Sequence, residues 1–313
     1  MKPAKPDTLC SGLHRAFEKR AALVQEAGAE GCLRVVHSEI DGIVVDQFGP
    51  CIWVYWYRAE DPTALDLEQV DRFARAVGKT WLIRRMRDRG HDPNSRISWH
   101  AETFPSAWIA REGTFRFRLN RDSGLSPGLF LDQRNNRLRV ATLSAQRKVL
   151  NLFSYTGAFA VAALAGGAHK VINVDVSKTY LEWGKLNLAE NALDLDRSLH
   201  FALDAATFTS GAVKRNESFD LIICDPPTFG RARGKVFRVA ADLPRLVLSL
   251  WDSLAPGGTL FVSTNSSSWS ESDFRLDVLG RLPRGLYRLL PETPPLPDFR
   301  GGAKLNTLWL RKN

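Results

Sequence analysis

Two carboxylates follow apolar segments that have the pattern of buried strands, and their positions limit the chemistry open to this chain. Asp175 ends the segment Lys170–Asp175, and Asp225 comes directly after Phe219–Cys224. Side chains at the carboxyl ends of parallel strands face one crevice of an open α/β sheet. Carboxylates in such a crevice accept strong hydrogen bonds from hydroxyl and amino groups. The pair therefore predicts a site that holds a ribose diol beside a second polar substrate.

The segment before Asp175 has the order of a nucleotide-binding βαβ unit. Residues 149–153 predict a strand, a turn that ends at Gly157 follows, and Ala158–Ala165 predicts a helix. Gly157 permits close approach of the backbone to a ligand. Because the chain has no Gly-x-Gly-x-x-Gly, a dinucleotide with its pyrophosphate at the helix N-terminus is not favoured. Asp175 taken alone also fits a helix cap or a turn residue.

The segment Asp225-Pro226-Pro227-Thr228-Phe229 combines a rigid carboxylate with an aromatic ring. Each proline holds its φ near about −65°, which fixes the backbone where the strand ends. Such a loop can grip the edge of a planar substrate while Phe229 stacks on its face. A proline turn followed by a core phenylalanine is the structural alternative.

These segments resemble motifs of S-adenosylmethionine (SAM)-dependent methyltransferases of the class I fold. The segment Gly128-Leu-Phe-Leu-Asp132-Gln-Arg134-Asn-Asn-Arg137 looks like the signature that precedes the catalytic core in bacterial large-subunit rRNA methyltransferases. Residues 151–159 and 225–229 are similar to that family's cofactor and acceptor motifs. The resemblance covers about residues 31–313 and implies a SAM-dependent enzyme that acts on 23S rRNA. The family includes cytosine-C5 enzymes and a guanine-N7 enzyme.

The resemblance assigns roles to particular residues. Asp175 is expected to accept from the ribose diol and Asp204 from the adenine amino group, while Arg134 meets the carboxylate of the cofactor. The predicted cofactor-binding residues are Asp132, Arg134, Asn151, Phe153, Tyr155, Thr156, Gly157, Asp175, Val176, Asp204, Ala205 and Asp225. The predicted catalytic residues are Asp225, Pro226, Pro227, Phe229 and Asn265. Asn265 fits a base contact and a turn cap equally well.

The chemistry of the target base favours guanine N7. Carbon 5 of cytosine is not nucleophilic, so its methylation needs a thiolate that adds to carbon 6. The cytosine-C5 members carry that Cys after the fifth strand, where this chain reads Val262-Ser-Thr-Asn265-Ser-Ser-Ser268. Cys224 lies inside an apolar strand, and alternation turns it away from the side of Asp225. Guanine N7 has a free lone pair and needs only in-line placement beside the sulfonium methyl. Cytosine C5 remains the alternative target.

The charge of the chain favours an anionic partner. It has 43 Lys and Arg against 34 Asp and Glu, a formal net charge of +9, which is typical of nucleic-acid-binding proteins. A charge cluster is also often only a solvated surface. The predicted RNA-binding residues are Arg84, Arg85, Arg87, Arg231, Arg233 and Lys235. The last three are favoured, because they follow Phe229 directly.

The elements that must position these residues predict an α/β protein. Residues 123–313 are expected to form a Rossmann-like class I methyltransferase sheet of seven strands. A smaller α+β domain at 31–122 is expected to contact RNA, and residues 1–30 form an extension with a helix at 13–28. Strands are predicted at 33–37, 42–46, 51–57, 81–85, 115–119, 149–153, 170–175, 199–203, 219–224, 259–264, 287–290 and 307–311. Further helices are predicted at 67–77, 158–165, 178–191 and 243–254, a loop at 90–105 and a turn at 255–258.

Composition excludes several other classes of protein. The four cysteines are scattered and form no Cys-x-x-Cys pair, and the six histidines have no metal-binding spacing, so no metal is expected. No apolar run approaches the roughly 18 residues of a membrane span, and the start of the chain lacks the apolar core of a signal peptide. A cytoplasmic protein is expected. The remaining alternatives are a methyltransferase for a small molecule or a protein, and a non-catalytic RNA-binding protein.

Overall fold

A computed structural model describes residues 8–86, 98–227, 229–232, 235–266, 269–283, 285–299, 301 and 305–313. The described residues fall into two compact units. The first comprises residues 1–132 and 295–302, and the second comprises 133–294 and 303–313. This division differs from the predicted boundary at 122 in two respects: it lies later in the chain, and a short segment near the carboxyl end returns to the first unit.

The first unit begins with two helices and is built on a mixed sheet. Its elements are α1 (Leu9–Glu18), α2 (Ala21–Ala27), β1 (Cys32–Ile40), β2 (Ile43–Phe48), β3 (Cys51–Trp56), α3 (Ala64–Ala76), β4 (Thr80–Arg85), β5 (Ser98–His100), β6 (Ala107–Glu112) and β7 (Phe115–Asn120). Strands β1 to β5 pair in chain order, and β6 and β7 form a separate hairpin. Every residue of β3 is buried, as expected of a central strand covered on both faces.

Two predictions for the first unit were wrong in detail, and one strand was missed. The helix predicted at 13–28 is two helices, because the chain turns at Arg20, whose buried guanidinium forms an ion pair with Glu39 at 2.7 Å. The loop predicted at 90–105 contains β5, which pairs with β4; residues 87–97 lie outside the described residues. Strand β6 was not predicted at all, although its backbone pairs along its whole length with β7.

The returning segment contributes a short 3-10 turn, Pro297–Phe299, to the first unit. Asp298 is completely buried. Its carboxylate accepts a hydrogen bond from the backbone N–H of Arg34 at 2.9 Å, and its carbonyl accepts one from the guanidinium of Arg20 at 3.3 Å. The guanidinium of Arg34 also lies 4.3 Å from the ring centre of Phe299. The segment is therefore an integral part of the first unit.

The second unit alternates strands and helices. Its elements are α4 (Arg134–Leu143), β8 (Lys148–Leu152), α5 (Ala158–Ala165), β9 (Lys170–Asp175), α6 (Lys178–Glu190), β10 (Ser198–Ala202), α7 (Ala205–Lys214), β11 (Phe219–Cys224), β12 (Phe229–Ala232), β13 (Lys235–Arg238), α8 (Val239–Asp252), β14 (Leu254–Thr264), α9 (Glu271–Leu279), β15 (Tyr287–Leu289) and β16 (Asn306–Lys312). Among the described residues, seven strands form one sheet in the order β10-β9-β8-β11-β14-β16-β15. The predicted class I sheet is confirmed.

This strand order positions the site. Strands β10, β9, β8, β11 and β14 are parallel, and β16 and β15 are antiparallel additions at one edge. After β8 the chain builds outward through β9 and β10, then returns to place β11 on the other side of β8. The order reverses between β8 and β11, and ligands of open α/β sheets bind at the carboxyl ends beside such a reversal. Asp175 ends β9 and Asp225 follows β11, so both predicted carboxylates lie at this edge.

Several predictions for the second unit were incomplete. The turn predicted at 255–258 lies inside β14, where the pairing with β11 shifts register between Phe219 and Leu221 and Gly257 adopts a φ of 71°. The helices α4, α7 and α9 and the hairpin β12–β13 were not predicted. The α4 segment is rich in Arg and Asn and shows no apolar stripe, because it buries the polar side chains of Asn136 and Arg137.

Candidate cofactor and acceptor site

The turn that follows β8 has an unusual backbone. Phe153 and Tyr155 adopt φ angles of 55° and 47°, and Gly157 adopts 76°. Residues other than glycine rarely occupy this left-handed region, and such strain clusters at functional sites. The N–H of Ser154 donates to the carbonyl of Val174 at 3.1 Å. The turn is therefore held against the end of β9.

Asp175 fixes the same turn from the neighbouring strand. Its Oδ2 accepts a hydrogen bond from the N–H of Tyr155, and its Oδ1 accepts one from the N–H of Ser177, both at 2.9 Å. Burial raises the pKa of the Asp175 carboxyl, although these backbone hydrogen bonds oppose the rise. Each carboxylate oxygen has a second lone pair. Asp175 therefore suits a ribose diol, whose two hydroxyls would donate to an acceptor that is already oriented.

Helix α6 supports the turn from behind. A Cβ on Gly157 would lie 3.0 Å from the Cα of Gly184, so one of the two backbones would have to shift to accept a side chain. The side chain of Asn187 donates to the carbonyl of Thr156 at 2.8 Å. Neither Gly184 nor Asn187 was predicted. A glycine in the middle of a helical pattern often marks close packing, so Gly184 had a signal in the sequence, whereas Asn187 had none.

An aromatic cluster lies beside the turn. The rings of Tyr155 and Tyr180 meet edge to face with centres 4.5 Å apart, and the ring of Trp183 lies 6.5 Å from that of Tyr155. Tyr180 and Trp183 belong to α6 and were not predicted. The hydroxyl of Ser154 is buried and has no hydrogen-bond partner among the described residues. A buried polar atom of this kind is an expected feature of a site that a ligand completes.

Other predicted cofactor residues have structural partners. The side chain of Asn151 donates to Asn173 across β8 and β9 at 2.9 Å. Asp204 caps α7, because its carboxylate accepts from the N–H of Thr207 at 2.9 Å. Val176 is half exposed, whereas Ala205 is buried. The structure thus brings Phe153 to Gly157 together with Asp175, while the predicted cofactor contacts of Asn151, Val176, Asp204 and Ala205 stay predictions.

The predicted signature before the core, residues 128–137, includes the position in the sequence at which the first unit ends and the second begins. Asp132 belongs to the first unit and Arg134 begins α4 in the second. Their predicted cofactor contacts stay predictions. Gln133 lies between them, is buried, and donates from its Nε2 to the hydroxyl of Ser263 at 3.1 Å.

The acceptor motif begins with an oriented carboxylate. The hydroxyl of Ser263, near the end of β14, donates to Oδ1 of Asp225 at 2.6 Å. Pro226 is buried and Pro227 is exposed. Asn265 is exposed beyond the end of β14. The backbone of Phe229 opens β12, so the aromatic residue stands at the base of a hairpin.

Cys224 is completely buried inside β11. Burial, with the neighbouring charge of Asp225, raises the pKa of the Cys224 thiol well above its usual range. A thiol in this state stays protonated and is a poor nucleophile. All four cysteines of the chain are free and buried.

The predicted RNA-binding residues have different surroundings. Arg84 and Arg85 are buried in β4; Arg84 donates to the carbonyl of Arg121 at 2.6 Å, and Arg85 forms an ion pair with Asp61 at 2.8 Å. Both guanidinium groups have partners within the first unit, and their predicted RNA contact stays a prediction. Arg87 and Arg233 lie outside the described residues. Arg231 and Lys235 lie in the two strands of the β12–β13 hairpin.

Two features are absent from the described residues, a metal-binding cluster and a membrane-spanning helix. No three His, Cys, Asp or Glu side chains there are grouped so as to hold a metal ion. None of the helices in that part of the chain has the length and apolar content required to cross a bilayer.

Comparison with known proteins identifies the family. Residues 59–311 match the family model of S-adenosylmethionine-dependent methyltransferases. The chain is 34% identical over 230 residues to ribosomal RNA large subunit methyltransferase K of Neisseria meningitidis, which covers 73% of this chain and 62% of that protein. A Bacillus subtilis protein provisionally named as a ribosomal RNA large subunit methyltransferase is 30% identical over 303 residues, covering 93% of this chain and 75% of that protein.

The fold has a close likeness among solved structures. The crystal structure of SMU.776 in complex with SAH has a TM-score of 0.83 and 23% sequence identity, and the likeness covers 99% of this chain and 83% of that one. The chain spans only about three fifths of the Neisseria relative. The family model covers most of the sequence, and the chain therefore belongs to the S-adenosylmethionine-dependent methyltransferases.

Proposed function

We propose that this chain methylates guanine N7 in large-subunit ribosomal RNA. The names of the relatives support the substrate class, and the net charge of +9 supports an RNA partner. The observation that carries the choice of base is the state of the cysteines. All four are buried, and the thiol nearest to the acceptor motif, Cys224, is held protonated. None of the four cysteines therefore provides the thiolate that addition to cytosine carbon 6 requires.

The residues of the site fit the cofactor and the reaction. SAM supplies a methyl group on a positively charged sulfur. Asp175 and the turn from Phe153 to Gly157 would hold it, because the carboxylate is already oriented and the buried hydroxyl of Ser154 has no partner among the described residues. The lone pair of guanine N7 forms the new bond to the methyl carbon, and the bond between that carbon and sulfur breaks with its electrons on sulfur. No proton moves, so positioning supplies most of the rate. The Asp225 carboxylate would also stabilise the positive charge that develops on the purine.

Analysis of rRNA nucleosides tests this function. The rRNA from a strain that lacks the gene should lose one 7-methylguanosine, and the purified protein with SAM should restore it on RNA or particles from that strain. A lost 5-methylcytidine would instead identify the cytosine-C5 alternative. An unchanged set of rRNA nucleosides would contradict the proposal and favour a different substrate or a non-catalytic RNA-binding role.

The role of Cys224 gives a separate prediction. The Cys224→Ala variant should retain most of the methyl transfer, because N7 methylation forms no covalent adduct with the enzyme. Some loss of stability is expected from the smaller side chain in the core. Turnover should be measured at a temperature where circular dichroism shows that the variant is folded. A folded variant without activity would contradict the N7 assignment.

The β12–β13 hairpin is the proposed RNA surface. Its antiparallel register pairs Phe229 with Arg238 and Arg231 with Val236, whereas Lys235 pairs with Ala232. Arg231, Arg233 and Lys235 follow Phe229 within six positions of the chain. These three cations would contact phosphates beside the base that stacks on Phe229.

Salt dependence tests this surface. Each lost phosphate contact to single-stranded RNA reduces the slope of log affinity against log salt by roughly 0.7. The Arg231→Ala and Lys235→Ala variants should each show this reduction, measured by fluorescence anisotropy with an rRNA fragment. Phe229→Ala should weaken binding by about 1–3 kcal/mol without a change of slope. Slopes equal to that of the wild type in both cation variants would show that the hairpin does not contact phosphates.

A further inference from the structure

A continuous chain of side-chain hydrogen bonds ends at Asp225. The hydroxyl of Thr293 donates to Oδ1 of Asn136 at 2.9 Å, and Nδ2 of Asn136 donates to Oε1 of Gln133 at 2.6 Å. Nε2 of Gln133 then donates to the hydroxyl of Ser263 at 3.1 Å, and that hydroxyl donates to Asp225 at 2.6 Å. Every donor in the chain therefore points toward the carboxylate.

The interior members of this chain are buried polar groups. Gln133, Asn136 and Ser263 are exposed by 3%, 2% and 0%. Burying such groups is costly unless each is hydrogen-bonded. Hydrogen bonds are directional, so a buried network of them fixes the orientation of its side chains. Apolar side chains in the same places would have no such directional contacts. The network joins α4 to β14, and its only charged member is Asp225 at the carboxyl edge of the sheet.

The direction of the Ser263 proton depends on Gln133. A hydroxyl has one proton and can donate it to one acceptor. Because the amide N–H of Gln133 occupies a lone pair of Ser263 Oγ, that hydroxyl must give its proton elsewhere. Asp225 receives it. Hydrogen bonds donated to an ionised carboxylate favour the charged form.

We propose that Gln133 and Ser263 are positioning residues that hold the Asp225 carboxylate ionised and in one orientation. This inference rests on the proposed role of Asp225 in the acceptor site. Gln133 acts through Ser263, and neither residue is required to touch the RNA base. The glutamine between Asp132 and Arg134 in the signature would then belong to the acceptor site, although it lies 130 positions from Ser263 in the sequence.

The charge state of Asp225 can be followed without any RNA. Carbon-13 labelling of aspartate carboxyls gives one resonance that is absent from the Asp225→Asn variant and so belongs to Asp225. Its titration midpoint should lie at a higher pH in Ser263→Ala than in the wild type, because the charged form loses a donor. Ser144→Ala is the matched control: Ser144 is equally buried, and its hydroxyl donates to the carbonyl of Val140. That variant should leave the midpoint unchanged.

Catalysis provides a second readout through the isosteric Gln133→Glu variant. An ionised glutamate would accept the Ser263 proton and draw it away from Asp225, whereas a protonated glutamate would donate as the amide does. The turnover of Gln133→Glu relative to wild type should therefore fall as pH rises, to a loss of about tenfold or more. Gln133→Met, which cannot hydrogen-bond, should show a similar loss that does not change with pH.

The two readouts separate this inference from the proposed function. If the titration midpoint of Asp225 were the same in Ser263→Ala and Gln133→Met as in the wild type, the positioning role would be overturned, whatever the activity of the variants. The positioning role would also be overturned if the wild type were active and the turnover of Gln133→Glu relative to wild type did not change with pH. If the wild type modifies no RNA but the midpoint shifts as expected, the proposed function fails while the positioning of Asp225 stands.

Discussion

SAM should bind the Asp175→Ala variant about 10- to 150-fold more weakly than the wild type. The diol loses a charged acceptor, and a hydrogen bond to a charged group contributes about 1.5–3 kcal/mol. The upper part of this range is expected, because the Asp175 carboxylate also accepts hydrogen bonds from the N–H groups of Tyr155 and Ser177. Without that carboxylate, the strained turn that would bind SAM is free to relax. Isothermal titration calorimetry with SAM or SAH measures the effect.

Asp220→Ala is a suitable control for this experiment. Asp220 lies near the start of β11, away from the carboxyl edge, and its carboxylate accepts from the N–H of Lys148 at 2.8 Å. Its removal should lower stability while SAM affinity stays at the wild-type value. If Asp175→Ala bound SAM as tightly as the wild type, Asp175 would have to be removed from the site.

Gly157 and Gly184 form a pair in which the same substitution should have opposite effects. Gly157→Ala forces an alanine to a φ of 76° and places its Cβ 3.0 Å from the Cα of Gly184. The left-handed conformation alone costs about 1–2 kcal/mol, and relief of the contact must displace the turn that holds the cofactor. We expect a lower unfolding temperature and no measurable SAM binding by calorimetry.

Gly184→Ala provides the reciprocal test. Its Cβ would meet the backbone of Gly157 at 3.6 Å, an ordinary contact. Alanine in a helix interior is favoured over glycine by about 1 kcal/mol. This variant should therefore be as stable as the wild type or more so, with SAM binding retained. Equal damage from both substitutions would show that the spacing of α5 and α6, rather than the conformation at Gly157, is what matters.

The sequence predicted the central βαβ unit because its signals are local. The bounds of β9, α5 and β11 were correct, since each is an apolar run with a clear start and stop. Asp175 was predicted as a cofactor residue from its place at the end of such a run, and the structure shows its carboxylate bound to the turn after β8. Gln133 gave no such signal, because its partner Ser263 is distant in the chain and the helix that follows Gln133 is polar. Only the folded structure shows that Gln133 and Asn136 are buried.

Arg84 and Arg85 show that a run of charges does not reveal burial. They were predicted to contact RNA because several arginines follow one another. They end β4, however, whose residues from Trp81 onward are buried, and each guanidinium has a partner inside the unit. Exposed and buried residues do not alternate along that strand. The apolar residues before the two arginines were therefore a better guide to burial than the charges.

The returning segment has a consequence for how the chain is made. Arg34 and the residue that accepts its N–H, Asp298, are 264 positions apart. Translation at about 5–20 residues per second separates their emergence by roughly 13–50 s. During that interval the backbone N–H of Arg34 lacks its Asp298 acceptor, and residues 133–294 of the second unit are synthesised meanwhile. The first unit can therefore be completed only after most of the second unit has been made, although most of its own sequence comes first.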